Sequence, residues 1–295
     1  LSERRLDDAE RAFVLEVTGA RGIAGATRIQ SLWGGCGDLL RVSLRGGTAE
    51  SVVLKSIRLP SPSPHERVSH ERKRRSYLVE AAFYRQWARR CPPEARVPAG
   101  LGERFDDERG MLLLEDLDGA GYPERRPARR GRELDACLDW LAAFHATFLG
   151  AAPEGLWPVG TYWQLETRRE ELERMADRAL AGAADELHRA LRGARFQTLV
   201  HGDAKPANFC FTPGGDTAAA VDFQYVGGGP GVRDVAYLLH GAPADLVAHG
   251  LDRYLAGFTA RLSNEVDAAA AAEECRALFP VATRDFERFL SGWRT

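Results

Sequence analysis

Residues 199–211 read LVHGDAKPANFCF, which places Asp203, Lys205 and Asn208 within six positions. His201, Asp203 and Asn208 fit the pattern HxDxxxxN, and Asp222 opens a DFQ fourteen positions after the asparagine. The chain otherwise hardly uses two of these residue types. Of 40 Lys+Arg, lysine stands only at Lys55, Lys73 and Lys205, and asparagine only at Asn208 and Asn264. A lysine that persists among so many arginines suits work a guanidinium cannot do, such as presenting a compact ammonium to a phosphate; chance is the plainer reading.

The spacing is that of a catalytic loop followed by a metal-binding turn. One carboxylate orients and deprotonates an attacking hydroxyl, while an amide oxygen and a second carboxylate hold Mg²⁺ against a triphosphate. The segment FCF, PGGD, AAAVDF reads as a hairpin. A hairpin between the two carboxylates lets them approach one substrate from different sides.

The rest of the chain sets the frame. A formal net charge of −2 and a pI near 6.4 give no electrostatic reason to expect nucleic-acid or membrane binding. Five scattered cysteines, Cys36, Cys91, Cys137, Cys210 and Cys275, show no zinc-ligand spacing and read as reduced thiols. No apolar stretch nears the ~20 residues that cross a bilayer, and the N-terminus has no apolar signal core, so a soluble, cytoplasmic protein is expected. No obligatory protein partner is inferred.

A polar, helical opening leads into RIQSLW, the turn GGCG, DLLRVSLR and ESVVLKSI, which read as three antiparallel strands. A Pro/Ser loop, LPSPSPHERVSHERKRR, precedes an amphipathic helix over SYLVEAAFYRQWARR, with Leu78, Ala81, Ala82, Tyr84 and Trp87 as its apolar face. Two further strands, around RVPAGLGERF and GMLLLEDL, flank a DDERG turn. Beyond Asp118 the character changes to loop and helix, so the boundary between parts 1–118 and 119–295 is placed there. LDACLDWLAAFHATFLG and TRREELERMADRALAGAADELHRALRG read as helices, and helix-like segments dominate from RDVAYLLHG to the end.

HGDxxxxN followed by VDF, with LLLEDL upstream and GVRDVAYLL downstream, resembles the aminoglycoside phosphotransferase and choline-kinase-like families. VDFQ and EAAFY (80–84) look most like their ecdysteroid-kinase-like (CHK kinase-like) branch. The resemblance spans about residues 28–240. It implies an α+β, two-lobed protein-kinase-like fold: a small antiparallel-sheet N-lobe with one main helix, a larger mostly helical C-lobe, and the nucleotide between them. It implies an ATP- and Mg²⁺-dependent transfer of phosphate to a hydroxyl of a small-molecule acceptor.

Carried over by position, the resemblance makes Asp203 the catalytic base, Asn208 and Asp222 the Mg²⁺ ligands, and His201 and Asp234 structural braces of the loop. Lys205 would meet the transferring phosphoryl group, or is an exposed lysine. Lys55 would grip the α- and β-phosphates, with Glu80 preferred over Glu71 as its ion-pair partner. Gly34, Gly35 and Gly37 in LWGGCGDLL would cover the phosphates, although the run is not a GxGxxG. Backbone groups of Glu115, Asp116 and Leu117 would meet the adenine edge. His145 is set down as a hydrogen-bonded core residue, and Cys36 at the glycine turn as a thiol whose reactivity merits a test. Trp157, Tyr162 and Trp163 are either core or an aromatic wall for the acceptor. A catalytically silent nucleotide-binding module is the alternative. A protein kinase is disfavoured, because the glycine of a DFG turn and an APE segment are missing.

Overall fold

The computed structural model of the chain describes residues 2–59, 67–106 and 109–293. Residues 60–66 of the expected Pro/Ser loop and the middle of the DDERG turn (107–108) lie outside the described residues. The chain divides into two compact units, Leu1–Arg89 with Val97–Pro123, and Arg90–Arg96 with Glu124–Thr295.

The first unit is built on an antiparallel sheet of β1 (Ser2–Glu3), β2 (Gly22–Ser31), β3 (Gly37–Arg45), β4 (Ser51–Arg58), β6 (Arg109–Glu115) and β5 (Gly100–Phe105), in that spatial order. Side chains alternate across a strand, so β4 has two distinct faces. Val52 and Leu54 face α1 (Asp8–Thr18), packing with Phe13, Val14, Leu40, Val42, Met111 and Leu113. Ser56, on that same face, donates to Glu10 Oε1 at 2.6 Å. Lys55 and Ile57 point the other way, toward α2 (Arg67–Gln86), where Ile57 packs with Tyr77.

Helix α1 starts at a capping box: the Asp7 carboxylate accepts from Glu10 N–H, and the Glu10 carboxylate accepts from Asp7 N–H. Glu10 is fully buried and also bonds Arg4. Burial pushes the Glu10 carboxyl up, but bonds from Arg4, Ser56 and Asp7 outweigh it and hold the group below its ordinary value.

Helix α2 begins earlier than the sequence suggests. VSHERKRR is helical rather than loop, because it has no glycine or proline and consists largely of good helix formers; the Pro/Ser punctuation ends before it. Its apolar face also differs: Ala81, Ala82, Tyr84 and Trp87 are buried, but Leu78 is 37% exposed and Tyr77, Val79 and Phe83 are buried instead.

The second unit is mainly helical: α3 (Gly131–Thr147), α4 (Arg169–Glu173), α5 (Arg178–Gly182), α6 (Ala184–Arg192), α7 (Val232–Leu238), α8 (Ala244–Thr259) and α9 (Ala268–Trp293). The helix expected over TRREELERMADRALAGAADELHRALRG is broken into α4, α5 and α6. Met175 leaves the helical path to pack, 1% exposed, against Gly292, and Asp177 restarts the chain as an N-cap accepting from Leu180 N–H. In contrast, the last two helix-like segments are one helix running through Pro280. Two small sheets pair β7 (Thr198–Val200) with β10 (Gly227–Gly229) and β8 (Phe209–Phe211) with β9 (Ala218–Ala220).

Candidate active site

In the second unit the HGDAKPAN loop runs from the end of β7 to the start of β8. The β8–β9 register pairs Phe209 with Ala220, and the same register carried one step further sets Asn208 opposite Val221, whose N–H bonds Asn208 C=O at 2.9 Å. Asp222 follows directly. Local strand pairing therefore brings Asn208 and Asp222 together although they are far apart in sequence. Asp222 adopts φ 69°, in the left-handed region that costs a non-glycine residue energy.

His201 is fully buried and ties the loop to this hairpin. Its Nδ1 accepts from Asp203 N–H at 3.2 Å, so Nε2 carries the proton that it donates to Val221 C=O at 3.0 Å. Burial lowers the imidazole pKa, in keeping with a neutral ring. Trp140, Phe209 and Phe223 surround it, the last with a centroid separation of 4.6 Å. Asp234 on α7 accepts from His201 N–H at 2.6 Å and Gly202 N–H at 3.0 Å. His145 adds a third contact to Asp234 at 3.2 Å and meets Tyr254 at 3.0 Å; it is a hydrogen-bonded core residue. Gly202, at φ 81°, has no room for a side chain, because a Cβ there would fall on Tyr225 C=O.

Asp203 is the centre of the arrangement. Its Oδ2 accepts from Lys205 Nζ at 2.7 Å and Asn208 Nδ2 at 3.0 Å, and its Oδ1 from the Tyr237 hydroxyl at 3.2 Å. Burial pushes the carboxyl pKa up, Lys205 opposes the rise, and the negative charge of Asp222 adds to it. Lys205 is 42% exposed at its side chain. Burial opposes its charged form, but Asp203 outweighs that and raises its pKa.

Tyr237 is the residue that sequence reasoning missed. The signal was there: it stands one helical turn after Asp234, so both side chains lie on the face of α7 that meets the loop. Its hydroxyl lies 3.5 Å from that of Tyr162. Trp157 and Trp163 are core, 2% and 1% exposed, which leaves Tyr162 as the partly exposed ring of that trio.

Among the described residues no group of three or more His, Cys, Asp or Glu side chains is arranged to hold a metal by itself. Asn208 turns its amide nitrogen to Asp203, which directs its oxygen away, and Asp222 lies close enough to raise the Asp203 pKa. An amide oxygen and a carboxylate fit Mg²⁺, which typically takes one or two protein oxygens and completes its shell with water and phosphate.

In the first unit, Lys55 Nζ donates to Glu80 Oε2 at 2.6 Å, with the two residues 4% and 1% exposed. Glu71, on the same helix, is exposed. The Lys55 ammonium also sits over the Tyr77 ring, 5.5 Å from its centroid. Gly34 and Gly35 in the turn between β2 and β3, and Gly37 at the start of β3, all have positive φ, at 68°, 70° and 120°. Cys36 within that turn is buried, 3% exposed, rather than presented at a tip. At the end of β6, Glu115 N–H donates to Ala99 C=O and the Glu115 carboxylate accepts from Ala99 N–H, each at 2.9 Å, while the carbonyls of Asp116 and Leu117 accept from Ala120 and Tyr122 N–H. The Asp116 side chain accepts from Arg41 Nε at 2.6 Å and from the Ser51 hydroxyl at 2.7 Å.

Comparison with known proteins agrees with this architecture. Among solved structures, an aminoglycoside-3'-phosphotransferase of type VIII superposes at TM-score 0.50 with 18% identity, covering 95% of this chain and 98% of that one. An ethanolamine kinase from Plasmodium vivax superposes at 0.55 with 14% identity, covering 92% and 77%. The GDP complex of wild-type aminoglycoside 2'-phosphotransferase-IIIa superposes at 0.51 with 11% identity, covering 96% and 94%. At these identities the likeness establishes the fold, the α+β kinase-like architecture with a six-stranded antiparallel N-terminal sheet and a mostly helical remainder. Among curated proteins none matches. The family model described as phosphotransferase enzyme family matches residues 33–275, most of the chain, and the protein belongs to that family.

Proposed function

We propose that the protein transfers the γ-phosphate of ATP to a hydroxyl of a small-molecule acceptor. The observation that carries this reading is the buried Asp203 carboxylate, bonded by Lys205, Asn208 and Tyr237 and set near Asp222. The acceptor oxygen forms a bond to the γ-phosphorus, the bond from that phosphorus to the ADP oxygen breaks, and the hydroxyl proton passes to Asp203. A raised pKa makes Asp203 a stronger base than a solvated carboxylate. Lys205 offers its ammonium to the negative charge of the moving phosphoryl group.

Asn208 and Asp222 would hold Mg²⁺, which when bound neutralises charge on the phosphate oxygens. Lys55, fixed by Glu80, grips the α- and β-phosphates. Gly34, Gly35 and Gly37 cover the phosphates, and backbone groups of Glu115, Asp116 and Leu117 meet the adenine. Residues 1–118 serve the nucleotide and residues 119–295 the acceptor. Within the family we place the chain nearest the ecdysteroid-kinase-like branch, on VDFQ and EAAFY, and expect a bulky, fairly apolar alcohol as acceptor. The partly exposed rings of Tyr162 and Tyr225 near Tyr237 support an acceptor with an apolar body. The free cysteines support a cytoplasmic location.

The test is ADP release with Mg²⁺-ATP and a panel of small-molecule alcohols, run beside Asp203→Asn. The wild type should respond to at least one class of alcohol. The variant should keep ATP binding and lose at least ~10²-fold in turnover. An Asp203→Asn protein that phosphorylates the same acceptor at the wild-type rate refutes the assignment.

A further inference from the structure

Of the three lysines, two have places in the proposed chemistry and Lys73 has none. Its position is specific. Lys73 lies in the second turn of α2, and a Cβ built on Gly34 would meet its Nζ at 2.6 Å, so the ammonium rests against the backbone of the glycine turn. Lys73, Tyr77 and Glu80 stand at i, i+4 and i+7, which is one face of the helix. That face holds Lys55 through Glu80 at one end, passes under the Lys55 ammonium at Tyr77, and delivers Lys73 to Gly34 at the other.

The surrounding residues sharpen the point. Arg72, Arg74 and Arg75 flank Lys73, so positive charge alone would be met by a fourth arginine. A guanidinium is planar and broad, whereas an ammonium is compact enough to occupy the space that a missing side chain leaves at Gly34. Gly34 itself is exposed and left-handed at φ 68°, so the turn against which the ammonium rests is one that anions can approach.

We infer that Lys73 is a second phosphate-binding residue, which meets the end of the nucleotide's phosphate chain not held by Lys55. This rests on the reading of the protein as an ATP-dependent phosphotransferase. Lys73 and Glu80, which holds Lys55, are seven residues apart, about 10 Å along the helix axis, and the inference assigns the two ammonium groups to different phosphates. Lys73 therefore favours the triphosphate over the diphosphate.

Calorimetric titration of the whole protein with Mg²⁺ and a non-hydrolysable ATP analogue, ADP or adenosine tests this. Lys73→Ala should weaken the ATP analogue about tenfold, ADP less than threefold, and adenosine not at all. Lys73→Arg should fail to restore the loss. Equal affinities of wild type and Lys73→Ala for the ATP analogue overturn the inference. So does a loss that falls equally on all three ligands, or a restoration by arginine. If the wild type itself binds no ATP analogue, the phosphotransferase reading fails first and the inference falls with it.

Discussion

Replacing Lys55 by methionine keeps most of the length of the side chain and removes its charge, which leaves the Glu80 carboxylate 1% exposed and without its ammonium. Breaking a buried ion pair by deleting one partner costs about 3–5 kcal/mol, while replacing both partners by apolar groups of similar volume is often close to neutral. Lys55→Met should therefore lose ~3 kcal/mol or more of unfolding free energy, and Lys55→Met/Glu80→Leu should recover ~2 kcal/mol of that. Glu80→Leu alone should cost less than Lys55→Met, because the stranded ammonium keeps its contact with the Tyr77 ring, worth about 0.5–1 kcal/mol. Urea unfolding of the four proteins, followed by circular dichroism, gives the coupling energy directly. ATP affinity should be lost in Lys55→Met and stay lost in the double variant, so stability and binding separate. A double variant no more stable than the weaker single one would refute the reasoning, since the pair would then not be the interaction that neutralises Glu80.

Three further outcomes are expected. Asp234→Asn keeps one acceptor oxygen but turns an NH₂ toward the His201 or Gly202 N–H, so about 2–4 kcal/mol of stability should go, read by chemical denaturation; a change under ~0.5 kcal/mol contradicts the brace. Gly202→Ala should abolish turnover and lower the melting temperature, because the added Cβ falls on Tyr225 C=O and the residue sits at φ 81°. Glu10 and Asp116 are held below ordinary carboxylate values against burial, Glu10 by Arg4 and Ser56 and Asp116 by Arg41 and Ser51. Their stabilisation is complete above the ordinary carboxylate range and is lost as pH falls through the lower folded values. Unfolding free energy should drop between about pH 5 and pH 2, less steeply in Arg41→Met, as measured by urea titration across that range.

Five of the six strands of the first unit, all but the short β1, the helix around Glu80, the β8–β9 hairpin and the long α3 were legible in the sequence. Their signals are local: alternation over ESVVLKSI, an apolar run in MLLLEDL, a PGGD turn, a 3.6-residue period in LDACLDWLAAFHATFLG. Three boundaries were misread for an equally physical reason. VSHERKRR was grouped with the prolines before it although its own composition favours helix, the break at Met175 depends on packing against Gly292, and α9 passes a proline that usually ends a helix.

What the sequence by itself determined was the set of chemically able residues, Asp203, Lys205, Asn208, Asp222, Lys55 and Glu80, because their types and order are written in the chain. What only the tertiary structure decided was which atoms meet. The choice of Glu80 as partner of Lys55 follows from the odd-numbered face of β4 turning toward α2, and the closeness of Asn208 to Asp222 follows from strand register. The Tyr237 hydroxyl on Asp203 and the Lys73 ammonium against Gly34 depend on how helices lie against loops. Spacing along a chain encodes local period and pairing; contact between distant elements is set by the packing that buries their apolar faces, and no short stretch carries it.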